Sequence, residues 1–289
     1  GDDRNPGTME SPFLTIQNAV DELQPGDICY IKGGIYYEEI TVSRSGKAGS
    51  PILIESYDGE AVIVTGADPV AAEAWTKVGR NLFRANVEML LEHENQVLLG
   101  DKTLVEARWP NVGDDLLKPT LAQMDSGTTA ERIVCNSLPE YDYTGAHAWV
   151  HAPRYWSDWT TKVVSFDPQA LDIENVAPYP GPRRHEAVPG ADFFVFGVRG
   201  ALDAENEWYY DESEQSLYVY RANGKLPKEA YYIKKRLHAF DLSGAQHVQL
   251  RGLTMIAGVI ETDVDTRQVV IDRVKMLHPY YSSQSNKYF

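Results

Sequence analysis

The chain has 289 residues, of which 42 are acidic and 27 are basic, and its net charge is −15. An acidic surface repels phosphate backbones and polyuronate chains unless a basic patch or bound cations offset it, so we expect no nucleic-acid partner. A neutral or weakly charged partner fits this charge better. No apolar run approaches the roughly 18 residues of a membrane span, so we also expect no membrane-spanning segment.

The segment from Gly7 to Gly66 has the pattern of a capped solenoid. Residues 15–23 place apolar side chains at helical spacing behind Thr15, which is a good N-cap. Brief β-branched runs then alternate with Gly and Asp/Ser turns, namely Ile28–Ile31, Ile40–Val42, Ile52–Ile54 and Val62–Val64. Runs this short suit the coils of a right-handed parallel β-helix, and we predict that the helix covers the first coil.

The middle of the chain has a different pattern, with apolar and polar residues alternating between Pro and Gly turns. This alternation predicts an inserted antiparallel, β-sandwich-like domain. Within it, Glu207–Asp211 and Leu217–Tyr220 are expected to form a hairpin around residues 212–215. The predicted domains are therefore 1–67 for the cap and first coils, 68–235 for the insertion, and 236–289 for the resumed coils.

The coil pattern returns near the other end of the chain as an internal repeat. Residues 248–255 align with residues 269–276 at an offset of about 21, within the range of solenoid repeats. Apolar residues meet at Leu250 and Ile271 and at Met255 and Met276. A solenoid needs a cap over its last coil, and none is visible, so we expect further coils or another chain at this open end.

Two parts of the sequence resemble known enzymes. GTMESPFLTIQNAVDELQPGDICYIKGGIYYEEITV and SGKAGSPILIESYDGEAVIVTG look like the opening of secreted β-helix enzymes that act on polysaccharides, which include lyases and hydrolases. ENQVLLGDKTLVEARWPN and ALDAENEWYYDESEQSLYVYRANGKLP are similar to segments of β-helix glycoside hydrolases with an intervening β-rich domain, among them β-xylosidase-like and α-fucosidase-like members. The resemblance implies a secreted or periplasmic carbohydrate-active enzyme, and none of these strings is a catalytic signature.

Acidic residues on the turn between the aligned coils are the first catalytic candidates. Hydrolysis of a glycosidic bond needs two carboxylates, about 5–5.5 Å apart for retention and 6.5–9.5 Å for inversion. Because adjacent coils stack at about 4.8 Å, Asp263 and Glu261 are the first choice and Asp272 is the next. In the enzymes that the chain resembles, the catalytic pair generally lies in later coils. The open alternatives are solvated turn residues and a carboxylate-lined Ca²⁺ site; we otherwise expect no metal or cofactor.

Aromatic and polar residues supply candidate sugar contacts. Trp156 and Trp159, with Arg154 nearby, could stack on the apolar faces of sugar rings, although packing at a domain interface is the alternative. After the last recognisable strand, His278 and Tyr280 could bind sugar hydroxyls or act as acid and base, and a structural role is the alternative for both.

These observations favour one function and leave two others open. The preferred function is a glycoside hydrolase that degrades a polysaccharide or oligosaccharide with paired carboxylates. The first alternative is a polysaccharide lyase, in which Lys/Arg or Tyr/His acts as the base on a uronate-containing glycan, with or without Ca²⁺. The second is a non-catalytic glycan-binding β-helix or adhesin.

Overall fold

A computed structural model describes residues 1–151, 157–174, 185–226 and 228–280. Over these residues the fold is nearly all β with one α-helix, which confirms the predicted all-β class. The chain divides into two compact units. Unit 1 comprises Gly1–Pro69, Leu90–Gln96 and residues 232–280, and unit 2 comprises Val70–Met89 and Val97–Tyr231. Residues 90–96 therefore belong to unit 1 although they lie inside the predicted insertion.

The helix α1 spans Ile16–Glu22, and the strands follow in chain order. The first strands are β1 (Ile28–Ile31), β2 (Gly34–Tyr36), β3 (Ile40–Thr41), β4 (Ile52–Ser56), β5 (Val62–Thr65) and β6 (Ala67–Pro69). The next are β7 (Trp75–Lys77), β8 (Leu82–Asn86), β9 (Val97–Leu99), β10 (Lys102–Thr103), β11 (Val105–Glu106), β12 (Arg108–Trp109), β13 (Ala122–Gln123), β14 (Arg132–Val134), β15 (His147–His151), β16 (Asp158–Asp167), β17 (Ala170–Ile173), β18 (Asp192–Phe196), β19 (Glu207–Asp211) and β20 (Ser216–Tyr220). The last are β21 (Tyr231–Lys234), β22 (His238–Asp241), β23 (Val248–Arg251), β24 (Thr254–Ile256), β25 (Val259–Glu261), β26 (Val270–Asp272) and β27 (Lys275–Leu277).

The helix α1 packs on the core of unit 1 and is held at its N-terminus by side chains. The Thr15 hydroxyl accepts a hydrogen bond from the Asn18 amide, which confirms the predicted N-cap. The Glu38 carboxylate accepts from the Ile16 amide at 3.1 Å, so the entry to the helix is tied to the chain just before β3. Ile16 and Val20 are buried in the core. Within the described residues, no helix is both long and apolar enough to cross a membrane.

Unit 1 contains three sheets of short, parallel strands, and in it β6 also pairs with β21 in the antiparallel sense. Their orders are β1-β4-β23-β26, β2-β5-β24-β27 and β3-β22-β25, and the chain passes through the three sheets in rotation. Leu250 pairs with Ile271 and Met255 pairs with Met276, so the predicted offset of 21 residues is confirmed as strand register. The inward side chains of all three sheets share one apolar core.

Left-handed backbone conformations mark the corners between these strands. Positive φ is uncommon outside glycine, yet here five non-glycine residues and one glycine adopt it at the same 21-residue offset as the strands. The corresponding residues are His247 (φ 54) and Gln268 (φ 48), Gly252 (φ 66) and Arg273 (φ 52), and Ala257 (φ 54) and His278 (φ 48). The repeat therefore extends from the strands to the turns that join them.

The chain leaves the parallel sheets after β5, at Gly66. The Gly66 carbonyl accepts from the Lys235 and Arg236 amides, so the two arms of the insertion meet at this residue. A Cβ on Gly66 would lie 2.4 Å from the Ala257 carbonyl oxygen, a distance that backbone packing does not allow. Only glycine fits this crossing without a shift of the backbone.

Unit 2 is built mainly from antiparallel strands. One sheet has the order β11-β19-β20-β8-β7 and another has the order β12-β18-β15-β16-β17-β14, with β13 paired to β18. The predicted hairpin is present, since Tyr209 pairs with Tyr218 on antiparallel β19 and β20. Cys29 in unit 1 and Cys135 in unit 2 are free and buried, and burial raises the pKa of the Cys29 thiol to about 11.

Candidate active site

A histidine lies between two carboxylates on the three-stranded sheet of unit 1. Glu39 immediately precedes β3, His238 begins β22, and Glu261 ends β25. The Glu39 Oε1 atom lies 3.2 Å from His238 Nδ1, and the Glu261 Oε2 atom lies 3.8 Å from His238 Nε2. The side chains of Glu39, His238 and Glu261 are 38, 27 and 49% exposed. We call these three residues the carboxylate row.

The strand arrangement sets the spacing within the carboxylate row. Adjacent strands lie about 4.8 Å apart, so the two outer strands are about 10 Å apart at the backbone. Because Glu39 and Glu261 approach different nitrogens of one imidazole, both carboxyl groups lie within reach of the same side chain. A protonated His238 can donate to both carboxylates, whereas the neutral ring can donate to only one.

Charged and aromatic groups lie close in the chain to the carboxylate row. The Arg236 guanidinium forms an ion pair with Asp68 and donates to the Thr65 carbonyl at 3.4 Å. Burial, followed by the charges of Tyr232 and Asp68, raises the pKa of the Tyr37 hydroxyl. Tyr37 and Arg236 each precede a member of the carboxylate row by two residues. These groups could bind the hydroxyls of a polar ligand that reaches the row.

The structure gives the other predicted acids different surroundings. The Asp263 Oδ1 atom accepts from the amides of Gly244, Asp265 and Thr266, and the hydrogen bond from Gly244 is the main reason that the Asp263 pKa is lowered. A carboxylate held ionised in this way does not suit proton donation. Asp272 lies on β26, in another sheet, where it is 3.7 Å from Arg251. Of the predicted acids, only Glu261 belongs to the carboxylate row.

A second polar cluster in unit 1 contains Tyr280. Its hydroxyl donates to Glu94 Oε1 at 3.3 Å. Close by in the chain, the fully buried Lys234 donates from Nζ to the Pro279 carbonyl at 3.4 Å. Burial lowers the pKa of the Lys234 amine, and the charge of Glu94 partly opposes this effect. His278 occupies a left-handed corner of the repeat, which accounts for a structural role at that position.

The aromatic part of the prediction is partly wrong. Trp159 is fully buried in the core of unit 2, and its Nε1 atom donates to the His185 carbonyl at 2.7 Å. It therefore presents no ring face to a sugar. The structure places it there because Trp159 pairs with Val150, whose side chain also lies in this core. Trp156 and Arg154 lie outside the described residues.

Sequence reasoning missed Glu39 and His238. Glu39 lies in the polar stretch before β3, and His238 follows the insertion, so neither belongs to a motif with recognisable spacing. One signal in the sequence could have found them: side chains alternate between the two sides of a strand, and this alternation puts both residues on the outward side of short strands. Among the described residues, no group of three or more His, Cys, Asp or Glu side chains has an arrangement that could hold a metal ion.

Comparison with known proteins gives partial matches. No family model matches the chain. The chain is 36% identical over 80 residues to the uncharacterized protein YwoF of Bacillus subtilis, and 37% identical over 70 residues to pectate lyase PEL9 of Emericella nidulans. These matches cover 28% and 24% of this chain, and the chain spans only 17% of the length of each relative.

One solved structure, described as a glycoside hydrolase, superposes with a TM-score of 0.67 at 20% identity. The match covers 90% of this chain and 49% of the solved chain. At this identity the likeness shows a shared fold. The chain thus corresponds in fold to about half of that solved chain.

Proposed function

We propose that the chain belongs to a glycan-degrading glycoside hydrolase built on a right-handed parallel β-helix with an inserted β-sandwich-like domain. The rotation of the chain through three parallel sheets, with corners that repeat every 21 residues, supports the β-helix. The fold shared with a solved glycoside hydrolase supports the reaction class, and the match to a pectate lyase supports a glycan as the substrate. We also propose the predicted boundaries, 1–67, 68–235 and 236–289, as the domain organisation.

The observation that carries the proposal is the pair of carboxylates in the carboxylate row. Hydrolysis of a glycosidic bond needs one carboxyl group to protonate the leaving oxygen and another to activate water or attack the sugar. Glu39 and Glu261 have the required chemistry, are partly exposed, and flank one side chain, His238. We propose that His238 holds the two carboxylates in place, by the same logic that orients groups in catalytic triads.

The proposal extends to location and partners. A secreted or periplasmic enzyme follows from the family resemblance of the N-terminal segment. The substrate would be a polysaccharide or oligosaccharide, and we propose that the exposed edge of β26 and β27 is covered by further protein. The carboxylates of the row, without a bound metal, supply the acid and base of the proposed reaction.

A polysaccharide lyase is the second candidate, because one of the two curated relatives is named a pectate lyase. A lyase abstracts the proton next to the carboxylate of a uronate, and the double bond forms as the glycosidic oxygen leaves. His238 would then be the base within the carboxylate row. The two reactions leave different products, since only the lyase forms an unsaturated uronate.

The purified protein should be tested on neutral and anionic polysaccharides for new reducing ends and for unsaturated-uronate absorbance. We expect reducing ends without that absorbance, and a loss of activity of about 100-fold or more in Glu39→Gln and Glu261→Gln. Glu212→Gln is the matched control, because it removes an exposed carboxylate in the hairpin turn of unit 2. Unsaturated products would establish the lyase, and binding without cleavage would indicate a glycan-binding module. Full activity in both glutamine variants would refute the assigned pair.

A further inference from the structure

Unit 1 contains a cavity of about 780 Å³ that the carboxylate row does not include. Residues 7–14 form one wall, and β1, β2 and the ring of Tyr57 form others. The volume lies within the range of about 300–1,000 Å³ that is typical of ligand sites. The cavity is therefore large enough for several sugar units.

The walls of the cavity expose an unusual amount of apolar surface. Large hydrophobic side chains that line it are between 41 and 60% exposed: Met9, Leu14, Ile28, Tyr30, Ile35 and Tyr37. Single exposed apolar residues are ordinary, but a contiguous group around a concavity marks a binding surface. Contact with water does not stabilise these apolar side chains, whereas contact with a ligand would.

Tyrosine rings give the cavity the chemistry of a sugar site. Tyr30 and Tyr57 meet edge to face, with centroids 5.9 Å apart. The Tyr36 hydroxyl donates to the Lys32 carbonyl at 2.8 Å, which fixes its ring at the wall. Such rings offer apolar faces beside polar groups, and sugars present apolar C–H faces beside hydroxyls.

The charges around the cavity favour an uncharged ligand. The acidic residues Glu22, Asp27 and Glu38 line it, against one basic residue, Lys32. Lys32 Nζ already donates to the Met9 carbonyl at 3.3 Å. A uronate would meet net negative charge here, whereas a neutral sugar would not.

Tyr37 connects the cavity to the carboxylate row. Tyr37 lines the cavity, and it lies two residues before Glu39 in the chain that leads into β3. Asp68, whose charge adds to burial in raising the pKa of Tyr37, forms an ion pair with Arg236, two residues before His238. A glycan that occupies the cavity could therefore extend toward Glu39 and His238.

We infer that this cavity is a remote subsite for a neutral oligosaccharide chain whose scissile bond lies at the carboxylate row. The inference rests on the proposed function, and it assigns the substrate class as uncharged sugars rather than uronates. Binding here would position the glycan through sugar units that do not react.

Isothermal titration of the Glu261→Gln protein with xylohexaose, cellohexaose and hexagalacturonate tests the inference without turnover. We expect at least one neutral hexasaccharide to bind more tightly than hexagalacturonate. Tyr30→Ala should weaken that binding about tenfold or more, by analogy with other aromatic stacking platforms, and Tyr30→Phe should retain it. Phe166→Ala is the control, since Phe166 is 42% exposed and lies in unit 2.

Three results would overturn the subsite: unchanged binding in Tyr30→Ala, tighter binding of hexagalacturonate, or no binding of any of the three probes. Circular dichroism on Tyr30→Ala must match the parent; if that variant does not fold, Tyr57→Ala takes its place. The outcome is separate from that of the proposed function. Binding that depends on Tyr30, in a protein that releases no reducing ends, would keep the subsite and reject the hydrolase. Cleavage that requires Glu261 but not Tyr30 would keep the hydrolase and reject the subsite.

Discussion

Glu106 provides a quantitative test of the packing of unit 2. Its side chain lies on β11, and burial raises the pKa of its carboxyl group from 4.5 to about 7. A Cβ on Gly197 would lie 3.5 Å from Glu106 Oε1, so the carboxyl group is close to the backbone that follows β18. The folded protein therefore holds this proton more tightly than the unfolded chain does.

The sign and size of the effect follow from these two pKa values. Between pH 4.5 and about 7 the folded state binds more protons than the unfolded state, so the stability contributed by protonated Glu106 is complete below pH 4.5 and is lost as the pH rises to 7. The difference between 4.5 and about 7 amounts to about 3 kcal/mol, since one pKa unit is worth about 1.4 kcal/mol. Glu106→Gln removes the ionisation, and should raise the free energy of unfolding at pH 8 by up to about 3 kcal/mol.

Urea unfolding between pH 4.5 and 8, followed by tryptophan fluorescence, measures this difference. The fluorescence reports on unit 2, because Trp75, Trp149 and Trp208 all lie in that unit. Glu212→Gln in the exposed hairpin turn is the control and should have little effect. A Glu106→Gln variant whose advantage over the parent does not grow with pH would refute the reasoning.

Glu207 is a useful contrast, because burial also raises its pKa to about 7. Its Oε2 atom, however, accepts hydrogen bonds from the amides of Asp203 and Ala204. The Arg108 amide also donates to this carboxylate, whereas a glutamine would keep only one acceptor oxygen for the three amides. We therefore expect Glu207→Gln to gain less at pH 8 than Glu106→Gln.

Three further substitutions test the fold by thermal or urea unfolding. Val20→Asp should lower the free energy of unfolding by several kcal/mol, because it buries an unpaired carboxylate under α1. Glu22→Asp, on the exposed side of α1, is the control and should have little effect. Equal stabilities of the two variants would contradict the packing of the helix. Trp159→Ala should lower the free energy of unfolding by about 3–5 kcal/mol, because it truncates a core side chain. A variant that keeps its stability but binds glycan more weakly would show that Trp159 is an exposed sugar contact. Gly66→Ala should destabilise unit 1, since its Cβ would lie 2.4 Å from a backbone oxygen; an unchanged melting temperature would show that the crossing is looser than described.

The sequence predicted the features that depend on neighbouring residues or on a fixed repeat. The Thr15 cap, the spacing of apolar residues in α1 and the hairpin after Asp211 are local, so propensity and pattern are enough to find them. The pairing of Leu250 with Ile271 is also predictable, because two copies of one pattern lie 21 residues apart in the chain. Consistency between local pattern and fold explains these successes.

The carboxylate row could not be predicted, because it depends on pairing across the insertion. Glu39 and His238 are 199 residues apart in the chain, and they meet because β3 pairs with β22 through Ile40 and Phe240. Neither pattern nor charge in the sequence specifies that register. The same argument applies to residues 90–96, which return to unit 1 from within the insertion.

The error at Trp159 has a different physical cause. The sequence identifies an aromatic residue near a polar turn, but the side of the sheet it occupies is fixed by the register of β15 on β16. A shift of one residue would have turned Trp159 outward and Asp158 inward. Burial of the large ring in the core is the more stable arrangement, provided that its N–H finds an acceptor, as it does at His185.

The edge formed by β26 and β27 is the remaining feature with a testable consequence. Within the described residues, each strand pairs on one side only, with β23 and β24. Val270, Ile271 and Met276 on these strands are 44, 48 and 46% exposed. An exposed apolar edge is a template for pairing with another chain, so we expect concentration-dependent association of the isolated chain.

Ile271→Lys should weaken this association, because a charge on an exposed edge strand opposes edge-to-edge pairing. The substitution should leave the melting temperature nearly unchanged, since the side chain is already half exposed. Sedimentation velocity over a range of protein concentrations measures the association. Val164→Lys is the matched control, as Val164 is 57% exposed and lies in unit 2. If Val164→Lys disrupts association as strongly as Ile271→Lys, or if the parent stays monomeric at every concentration, this edge is not where the chain associates.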